Sequence, residues 1–427
     1  PLVFVGLCAW CSTSAVNEIE KGTWAAIGSL MALLYIYAAA GTLMSGELGA
    51  LWCSPSVTVR SQSEPTSDLA RCTAPFDWPS ARAGHRLAGM EKRTLGSSDL
   101  AVDVLGLGTM TFGNEADEAT SRQILDRYYD VGGRFVDTAD VYTRGLSEEY
   151  IGRWLSDRGV RDDMVIATKA RFAMSDDPAD RGAGRAYLQR ALEASLRRLG
   201  VDHVDLYQIH AWDPDVHVDE TMETLNGFVE SGKVRFVGLS NFLGWQLERA
   251  AQVCEANGWA PVVSLQPQYN LLARDLELEL MPLCIDRGIG LLPWSPLGGG
   301  WLTGKYRRDT TPVGVSRLGD DPTRGLEAYD VRNTERTWRI VDAVRTIAEK
   351  REVLMSEVAI NWLRSRPMVS SLLVGVRTVD QLEENLRAID WDLDDQELTF
   401  LNEVSAPGIP AYPQGFLENE AGMDVWE

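Results

Sequence analysis

Side chains that can move protons lie at corresponding positions after short apolar runs of the sequence. Asp137 follows the run RFV, Lys169 lies at the end of MVIATKA, and His210 ends VDLYQIH, while Tyr142 comes five residues after Asp137. A tyrosine has a usual pKa of about 10 and is a poor acid at neutral pH, but a neighbouring ammonium favours its phenolate. We therefore expect Asp137 to hold Lys169 by an ion pair and Lys169 to assist Tyr142.

The same residues define a reaction. His210 is expected to donate a hydrogen bond to a carbonyl oxygen, and Tyr142 to protonate that oxygen as charge develops on it. No side chain supplies a hydride, so this chemistry requires a cofactor. The four histidines lack the spacing of zinc ligands, and we expect no metal.

The elements that must position these residues repeat along the chain. Short apolar runs alternate with longer amphipathic stretches at intervals of about 30 residues, which is typical of strand–helix units. The eight runs are 102–108, 133–139, 164–170, 204–210, 234–240, 261–266, 288–295 and 370–376. An open doubly wound sheet would show the same alternation. Eight units, and the absence of G-x-G-x-x-G after the first run, favour a (β/α)8 barrel of the TIM type.

Helices are predicted between the runs. SRQILDRYYDVGG, YLQRALEASLRRLG and LGWQLERAAQVCEANG have apolar residues at helical spacing, and each ends in glycine, a common C-terminal stop.

Each polar residue also has a plainer interpretation. Asp137 could cap a loop, Lys169 could be a surface lysine, and His210 could be a satisfied core histidine. The carboxyl ends of barrel strands share one rim, however, and these residues all fall there. Their convergence indicates a functional site.

Residues 90 to about 415 resemble an aldo-keto reductase. The motifs are GLGTMTFG, FVDTADVY, IATK, YQIH, VGLSNF, SLQPQYN, PWSPLGGGWLTGKY and VGVRTVDQLEEN. The resemblance implies a (β/α)8 barrel that binds NADP(H) and reduces a carbonyl. The family's catalytic tetrad of Asp, Tyr, Lys and His corresponds to Asp137, Tyr142, Lys169 and His210.

The resemblance also implies a cofactor site. Ser240, Asn241 and Gln266 would hold the nicotinamide carboxamide, with Tyr269 near its ring. The run Ser295–Lys305 would wrap the pyrophosphate, and Arg377, Gln381 and Asn385 would take the adenosine end. The complete expected set is Gly108, Thr109, Met110, Asp137, Ser240, Asn241, Gln266, Tyr269, Trp294, Ser295, Pro296, Leu297, Gly299, Lys305, Gly375, Arg377, Gln381 and Asn385.

The residues themselves agree with an anion site at the phosphate end. Gly298, Gly299 and Gly300 permit close backbone approach, and Lys305, Arg307 and Arg308 form a basic cluster. Arg377 opens a predicted helix, whose N-terminus suits an anion. A 2′-phosphate there would favour NADPH over NADH. The alternative for Arg307 and Arg308 is a solvated loop.

Aromatic side chains follow several of the predicted strands. Phe112, Phe172, Trp212 and Trp301 are candidates for an apolar wall suited to an aromatic or bulky carbonyl. The alternative is that such aromatics pack their own loops. The Pro/Gly-rich loop 307–333 and the tail PGIPAYPQGFLENEAG could cover the site.

Residues 1–89 differ from the rest. They hold four of the six cysteines and few charges, with five Lys+Arg and six Asp+Glu, so that −20 of the chain's net charge of −21 belongs to residues 90–427. The uncharged segment 22–46 is long enough to span a bilayer, but residues 54–89 lack periodicity and EKRTLGSSDLAVDVLGLGT after Met90 reads like a natural N-terminus. We expect an extension outside the mature barrel domain in preference to a membrane anchor. The Cys8–Cys11 pair is weak evidence for metal or redox work.

The charge and cysteine content of the sequence restrict the kinds of partner that we expect. The acidity excludes a generally basic nucleic-acid surface, and the few scattered cysteines suggest a reducing, cytoplasmic compartment. We expect a small carbonyl substrate, membrane association only through residues 22–46, and leave a homo-oligomer open. Two other functions stay open: a Schiff-base lyase that uses Lys169, and a cofactor-sensing partner like the potassium-channel β-subunits that the resemblance includes.

Overall fold

A computed structural model describes residues 90–314, 316–323 and 325–421. The strands of this part are β1 (Lys92–Thr94), β2 (Ala101–Asp103), β3 (Leu105–Gly108), β4 (Phe135–Asp137), β5 (Val165–Ala170), β6 (Val204–Ile209), β7 (Val234–Ser240), β8 (Val262–Gln266), β9 (Gly290–Leu291) and β10 (Leu372–Gly375).

The α-helices lie between and after the strands. They are α1 (Glu118–Asp130), α2 (Leu146–Arg158), α3 (Arg185–Leu199), α4 (Val218–Glu230), α5 (Gly244–Asn257), α6 (Leu280–Arg287), α7 (Arg317–Asp320), α8 (Tyr329–Arg332), α9 (Glu335–Arg351), α10 (Met355–Arg364), α11 (Val379–Leu386), α12 (Asp395–Ser405) and α13 (Phe416–Ala421). The three sequence stretches predicted to be helical fall in α1, α3 and α5. The last two of these helices end at Gly200 and Gly258, whose φ values of 64° and 65° are left-handed, as predicted.

The strands β3 to β10 form one parallel sheet in chain order, with β10 beside β3. Hydrogen bonds then join the other edge to the segment that leads into β10. Leu291 donates its N–H to Met368 O over 2.7 Å, and Ser370 donates to Leu291 O over 2.9 Å. Leu373 donates to Pro293 O over 3.0 Å. These bonds close the sheet, so the predicted (β/α)8 barrel is confirmed.

The seventh predicted run forms a shorter strand than expected. Regular pairing covers only Gly290–Leu291, and Trp294 adds isolated bridges to Gln268, two residues after β8, and to Leu373 of β10. Pro293 lies between them and has no N–H to give to a ladder. The barrel is therefore closed at this point by single hydrogen bonds rather than by a long strand.

The first predicted run was wrong as a single strand. Ala101–Asp103 pairs antiparallel with β1, and only Leu105–Gly108 enters the barrel. The hairpin turns its apolar side chains into the barrel's amino-terminal end, where they pack on residues from five strands. The members of this interior cluster are Leu95, Leu100, Val102, Phe135, Ala167, Leu206, Val263, Leu292 and Leu373. Burial of the hairpin side chains is the reason that the run divides.

Residues 1–89 lie outside the described part, as do segment 22–46 and the Cys8–Cys11 pair, so the predicted domain boundary near residue 90 stays a prediction. Across the ranges that are described, none of the helices combines the length and the apolar character that a membrane span needs.

Candidate active site

A polar layer lies directly above the apolar cluster inside the barrel. Three strands, β4, β5 and β6, each contribute one side chain to the cluster, and these are Phe135, Ala167 and Leu206. Two residues later in the same strands come Asp137, Lys169 and Gln208. Side chains two apart in a strand point to the same side, so all three face the interior toward the carboxyl-terminal rim.

Lys169 is the centre of this layer. Its side chain is fully buried, and its Nζ donates to Asp137 Oδ1 at 2.5 Å and to the carbonyl oxygen of Thr138 at 2.7 Å. The Oη of Tyr142 lies 3.4 Å from the same Nζ. Burial alone would lower the pKa of Lys169, but the charge of Asp137 together with Tyr142 outweighs burial and raises this pKa above its usual value. Lys169 is therefore an ammonium at neutral pH.

The second oxygen of Asp137 accepts from two amides. Gln208 Nε2 and Gln266 Nε2 each donate to Asp137 Oδ2 over 3.0 Å. The two glutamines also bond to each other, because Gln266 Nε2 lies 3.2 Å from Gln208 Oε1. Asp137 thus has donors on both oxygens, as a buried carboxylate requires.

Tyr142 is placed by a tight turn between β4 and α2. The turn covers Tyr142–Gly145, and Thr143, Arg144 and Gly145 have φ values of 48°, 55° and 94°. A Cβ on Gly145 would lie 2.6 Å from Cδ of Arg198, so both the left-handed backbone and the close approach require glycine. This turn brings the Tyr142 hydroxyl back over the end of β5.

The acidity of Tyr142 differs from the expectation. Burial is the larger effect and raises the pKa of its hydroxyl, while Lys169 opposes this and Asp137 adds to it, so that the pKa lies above its usual value. Lys169 acts in the expected direction but does not outweigh burial. Tyr142 consequently keeps its proton across the neutral range.

His210 lies on the other side of the tyrosine. Its ring centroid is 5.8 Å from that of Tyr142 and 4.6 Å from that of Phe172. Burial, and then the charge of Lys169, hold the pKa of His210 well below its usual value. The imidazole is therefore neutral, with one N–H to donate. Its Nδ1 is buried and has no hydrogen-bond partner among the described residues.

The ends of β7, β8 and β9 are tied to this cluster. Asn241, whose φ is 55°, donates its side-chain amide to His210 O over 2.9 Å and to Ser240 Oγ over 3.0 Å. Trp294 Nε1 donates to Asn241 Oδ1 over 3.1 Å, and Ser240 Oγ donates to Gln266 O over 2.9 Å. The predicted carboxamide set is thus brought together beside the tetrad.

Tyr269 is not brought into this group. Its side chain is fully buried, its hydroxyl donates to Glu277 Oε1 over 2.5 Å, and its ring packs on Trp362 at 5.6 Å. The half-buried Trp294 is the aromatic side chain that bonds to Asn241 instead. The difference arises because Tyr269 follows β8 into a loop that folds down against α10.

The glycine-rich loop after β9 forms a cradle. Gly298, Gly299 and Gly300 have φ values of 56°, 64° and 97°. A Cβ on Gly300 would lie 2.4 Å from Lys305 Nζ, so glycine allows the ammonium to lie against the backbone. Ser295 Oγ accepts from Gly299 N over 3.1 Å and fixes the start of the loop.

Lys305 belongs to a group of three cations. Loss of water around its ammonium is the larger cause that lowers the pKa of Lys305, and the like charges of Arg377 and Arg317 lower it further. Arg377 forms ion pairs with Asp320 at 3.3 Å and Glu115 at 3.4 Å. The loop 307–333 therefore reaches the phosphate end through α7.

The predicted basic cluster is divided by the structure. Arg308 pairs with Glu335 and lies over the ring of Trp338 at 5.6 Å, and Arg307 is exposed. Arg317, and not Arg307 or Arg308, is a cation whose charge acts on Lys305. Sequence spacing carries no signal for Arg317, because it comes from the middle of a long loop.

The other residues of the expected cofactor set lie along the same rim. Thr109 is buried and donates its hydroxyl to Asp137 O over 3.0 Å, and Gln381 Oε1 accepts from Arg377 N over 2.9 Å. Asn385 is buried in α11, and Met110 is exposed. The remaining four are Gly108 and Gly375, which end β3 and β10, and Pro296 and Leu297, which precede the glycine-rich loop.

The residues present fit a nicotinamide dinucleotide. The glycine cradle with Lys305 suits a pyrophosphate, since three cations of like charge near one another favour an anion between them. Gln266 keeps an amide oxygen that accepts no hydrogen bond from the described residues, which suits a carboxamide N–H2.

The aromatic candidates have different surroundings. Phe172 packs on His210 with the two rings tilted at 59°, and Trp212 packs edge-on against Phe242 at 5.4 Å and Trp245 at 5.3 Å. Phe112 belongs to the buried core.

Trp301 is 1% exposed, stacks on Tyr329 at 5.5 Å and donates its indole N–H to the carbonyl oxygen of Glu327 over 2.9 Å. Trp301 therefore packs its own loop, which was the alternative to a place in the apolar wall of the substrate site. Phe172 and Trp212 remain as wall candidates near the tetrad.

Sequence reasoning missed Gln208. A signal was present, because an amide near the end of an apolar barrel strand, two residues before His210, points to the same side as the histidine. Such a buried amide needs partners, and only the fold shows that these are Asp137 and Gln266.

Comparison with known proteins identifies the family. The model of the aldo/keto reductase family matches residues 104–406. The oxidoreductase YrpG of Bacillus subtilis is 37% identical over 324 residues, which cover 74% of this chain and 96% of YrpG. Versiconal hemiacetal acetate reductase of Aspergillus parasiticus is 33% identical over 347 residues, covering 74% of this chain and 98% of that protein.

A third relative has a different kind of name. A probable voltage-gated potassium channel subunit beta of Arabidopsis thaliana is 34% identical over 308 residues, which cover 70% of this chain and 92% of the relative. The chain belongs to the aldo/keto reductase family, as its motifs predicted. Relatives named as oxidoreductases support an oxidoreductase.

Proposed function

We propose that the protein reduces an aldehyde or ketone to an alcohol with NADPH. The observation that carries the proposal is the position of Lys169 Nζ, which lies 2.5 Å from Asp137 Oδ1 and 3.4 Å from Tyr142 Oη in a buried site beside the neutral ring of His210. This arrangement can deliver a proton to an oxygen that gains negative charge.

Each residue of the tetrad has its own role in the transfer of a proton to the substrate oxygen. A nicotinamide cofactor held at this rim would provide the hydride that the carbonyl carbon needs. His210 donates its N–H to the carbonyl oxygen and orients it. Tyr142 gives its proton to the same oxygen, and Lys169 stabilises the phenolate left behind until water returns a proton. Asp137 keeps the ammonium of Lys169 in place.

The cofactor contacts are assigned on the same geometry. Ser240, Asn241 and Gln266 would take the carboxamide, and Trp294 would lie against the nicotinamide ring. The cradle Gly298–Gly300 would take the pyrophosphate. The cations Lys305, Arg317 and Arg377 support NADPH over NADH, because a 2′-phosphate adds negative charge at that end.

The Schiff-base alternative is disfavoured by the state of Lys169. A lysine nucleophile must lose its proton, and the raised pKa of Lys169 beside Asp137 opposes this loss. The identity to a potassium channel subunit supports a second function, as a cofactor-sensing partner of another protein. The completeness of the tetrad supports the enzyme. A cytoplasmic location stays a prediction from cysteine usage.

The test is the substitution Tyr142→Phe in the full chain. Because general acid catalysis contributes about 10²–10⁴-fold, kcat for a panel of aromatic and aliphatic aldehydes should fall by at least about 100-fold. NADPH affinity, followed by fluorescence titration, should change little. Tyr129→Phe is the matched control, since its hydroxyl lies away from the rim and bonds to Asp163.

Three results separate the functions. Turnover by the parent chain that Tyr142→Phe abolishes supports the reductase. Undiminished turnover in Tyr142→Phe would refute the role of this tyrosine. Tight NADPH binding by the parent chain without turnover of any carbonyl would favour the sensing partner.

A further inference from the structure

Gln208 has an unusual place for an amide. It is the penultimate residue of β6 and lies inside the barrel with no exposed surface. In the sheet it is paired with Lys169 on one side and Gly238 on the other. A Cβ on Gly238 would lie 3.1 Å from Cγ of Gln208, so the glycine leaves room for this side chain. A buried amide costs free energy unless its groups are bonded, so its partners indicate its purpose.

The partners of Gln208 fix the orientation of a second amide. The Nε2 of Gln266 has two hydrogens, and it donates to Asp137 Oδ2 over 3.0 Å and to Gln208 Oε1 over 3.2 Å. Gln208 in turn donates its own Nε2 to Asp137 Oδ2 over 3.0 Å, which sets its oxygen toward Gln266. A flipped Gln266 would place its oxygen against two acceptors.

This orientation determines what Gln266 can offer. With both hydrogens committed, its oxygen is the atom left over, and none of the described residues donates to it. A nicotinamide carboxamide carries an N–H2 group that needs such an acceptor. A glutamine free to turn would present its own N–H2 part of the time.

We propose that Gln208 is a positioning residue that presents the oxygen of Gln266 to the cofactor's carboxamide. The inference rests on the proposed use of a nicotinamide cofactor and goes beyond it, since Gln208 has no exposed surface with which to contact cofactor or substrate directly. It acts through Gln266, and it does so by using the catalytic Asp137 as the common acceptor. Nicotinamide binding and the tetrad are thereby linked by one buried hydrogen-bond network.

The experiment is a double-substitution cycle in the full chain with Gln208→Met and Gln266→Met. Methionine has about the length of glutamine without its hydrogen bonds. Dissociation constants are measured by fluorescence or calorimetry for NADPH and for adenosine 2′,5′-bisphosphate, which lacks the nicotinamide. Tyr207→Phe is the matched control on the same strand, because its hydroxyl is buried without a partner among the described residues.

We expect Gln208→Met to weaken NADPH about tenfold, as for the loss of one good hydrogen bond. Binding of the bisphosphate should change less than about twofold, within the error of an unaffected site. The double variant should bind NADPH no more weakly than Gln266→Met alone, because Gln208 acts through Gln266. Tyr207→Phe should match the parent chain.

Multiplying effects in the double variant would overturn the inference, and so would equal weakening of both ligands. Unchanged NADPH binding in Gln208→Met would overturn it as well. If Gln208→Met does not fold, Gln208→Leu takes its place in the same cycle, since leucine also removes both the donor and the acceptor of the amide. Failure of the parent chain to bind NADPH would instead refute the proposed function.

Discussion

The carboxyl group of Asp140 gives a prediction that can be worked through in numbers. Asp140 is 1% exposed and accepts one hydrogen bond, from the hydroxyl of Tyr187 at 3.1 Å. Its other oxygen is buried and has no partner among the described residues. Burial, and then the nearby carboxylate of Glu148, raise the pKa of Asp140 from 3.8 to about 7, although Tyr187 and Arg198 oppose the shift. The group lies two residues from Tyr142.

The shift in the pKa of Asp140 corresponds to a change in the free energy of unfolding. A difference of about three pKa units at about 1.4 kcal/mol each corresponds to about 4 kcal/mol. The folded state holds the Asp140 proton more tightly than the unfolded chain. This group's contribution to stability is therefore complete below pH 3.8 and is lost as the pH rises through about 7. Asp140→Asn is neutral at every pH and keeps an acceptor for Tyr187, so it should avoid the loss.

The assay is urea unfolding of the parent chain and Asp140→Asn at several values between pH 5 and pH 8.5. Between pH 5 and pH 8.5 the variant should gain about 3 kcal/mol of stability relative to the parent, because about two of the three pKa units fall in this range, with the steepest change below pH 7. Infrared difference spectra should show a buried protonated carboxyl at pH 6 that is missing in the variant. A stability difference that does not depend on pH would refute the reasoning.

Three further predictions concern the cofactor and the pH profile. Arg377→Ala should weaken NADPH about 10- to 100-fold and NADH by far less, whereas the exposed Arg308→Ala should affect neither; equal weakening of the two cofactors by Arg377→Ala would remove the 2′-phosphate argument. Gly300→Ala should weaken NADPH and destabilise the fold by about 1–3 kcal/mol, whereas Gly314→Ala, which is also left-handed but meets no atom within 4 Å, should leave NADPH binding unchanged, and similar NADPH affinities in the two variants would contradict the cradle. Because the pKa of His210 is held well below its usual value, kcat/KM should not fall at the ordinary histidine pKa of about 6.5, and a step there that His210→Gln abolishes would be the contrary result.

The repeating architecture was accessible from the sequence. Each of the eight apolar runs contains a strand of the barrel, because strands covered on both faces need continuous apolar side chains. The alternation of β and α units then left few topologies to choose from. The division of the first run was not accessible, since Val102 is equally apolar in a hairpin and in a barrel strand. Val102 lies in the hairpin because its side chain packs into the interior cluster, and this cluster forms only when the barrel closes.

The site was predictable where it depends on strand ends. Asp137 and Lys169 meet because neighbouring parallel strands end at one rim, and His210 follows from the next strand. Contacts that depend on long loops were not predictable. Trp301 and Tyr269 are equally aromatic whether they line a pocket or fill a core, and local sequence does not show which partners will surround them.

The acidity of Tyr142 shows a further limit. Sequence reasoning gave the correct sign for Lys169, a nearby ammonium, but could not weigh it against burial. Desolvation depends on every neighbour at once, and that sum exists only in the folded chain.

The hairpin β1–β2 affects the direction from which a small molecule can approach Lys169. Among the described residues, the hairpin fills the amino-terminal end of the barrel with Leu95, Leu100 and Val102, which pack against residues of the barrel strands. Lys169 lies beyond this cluster, toward the carboxyl-terminal rim. We therefore expect a small molecule to approach Lys169 from that rim and not through the amino-terminal end.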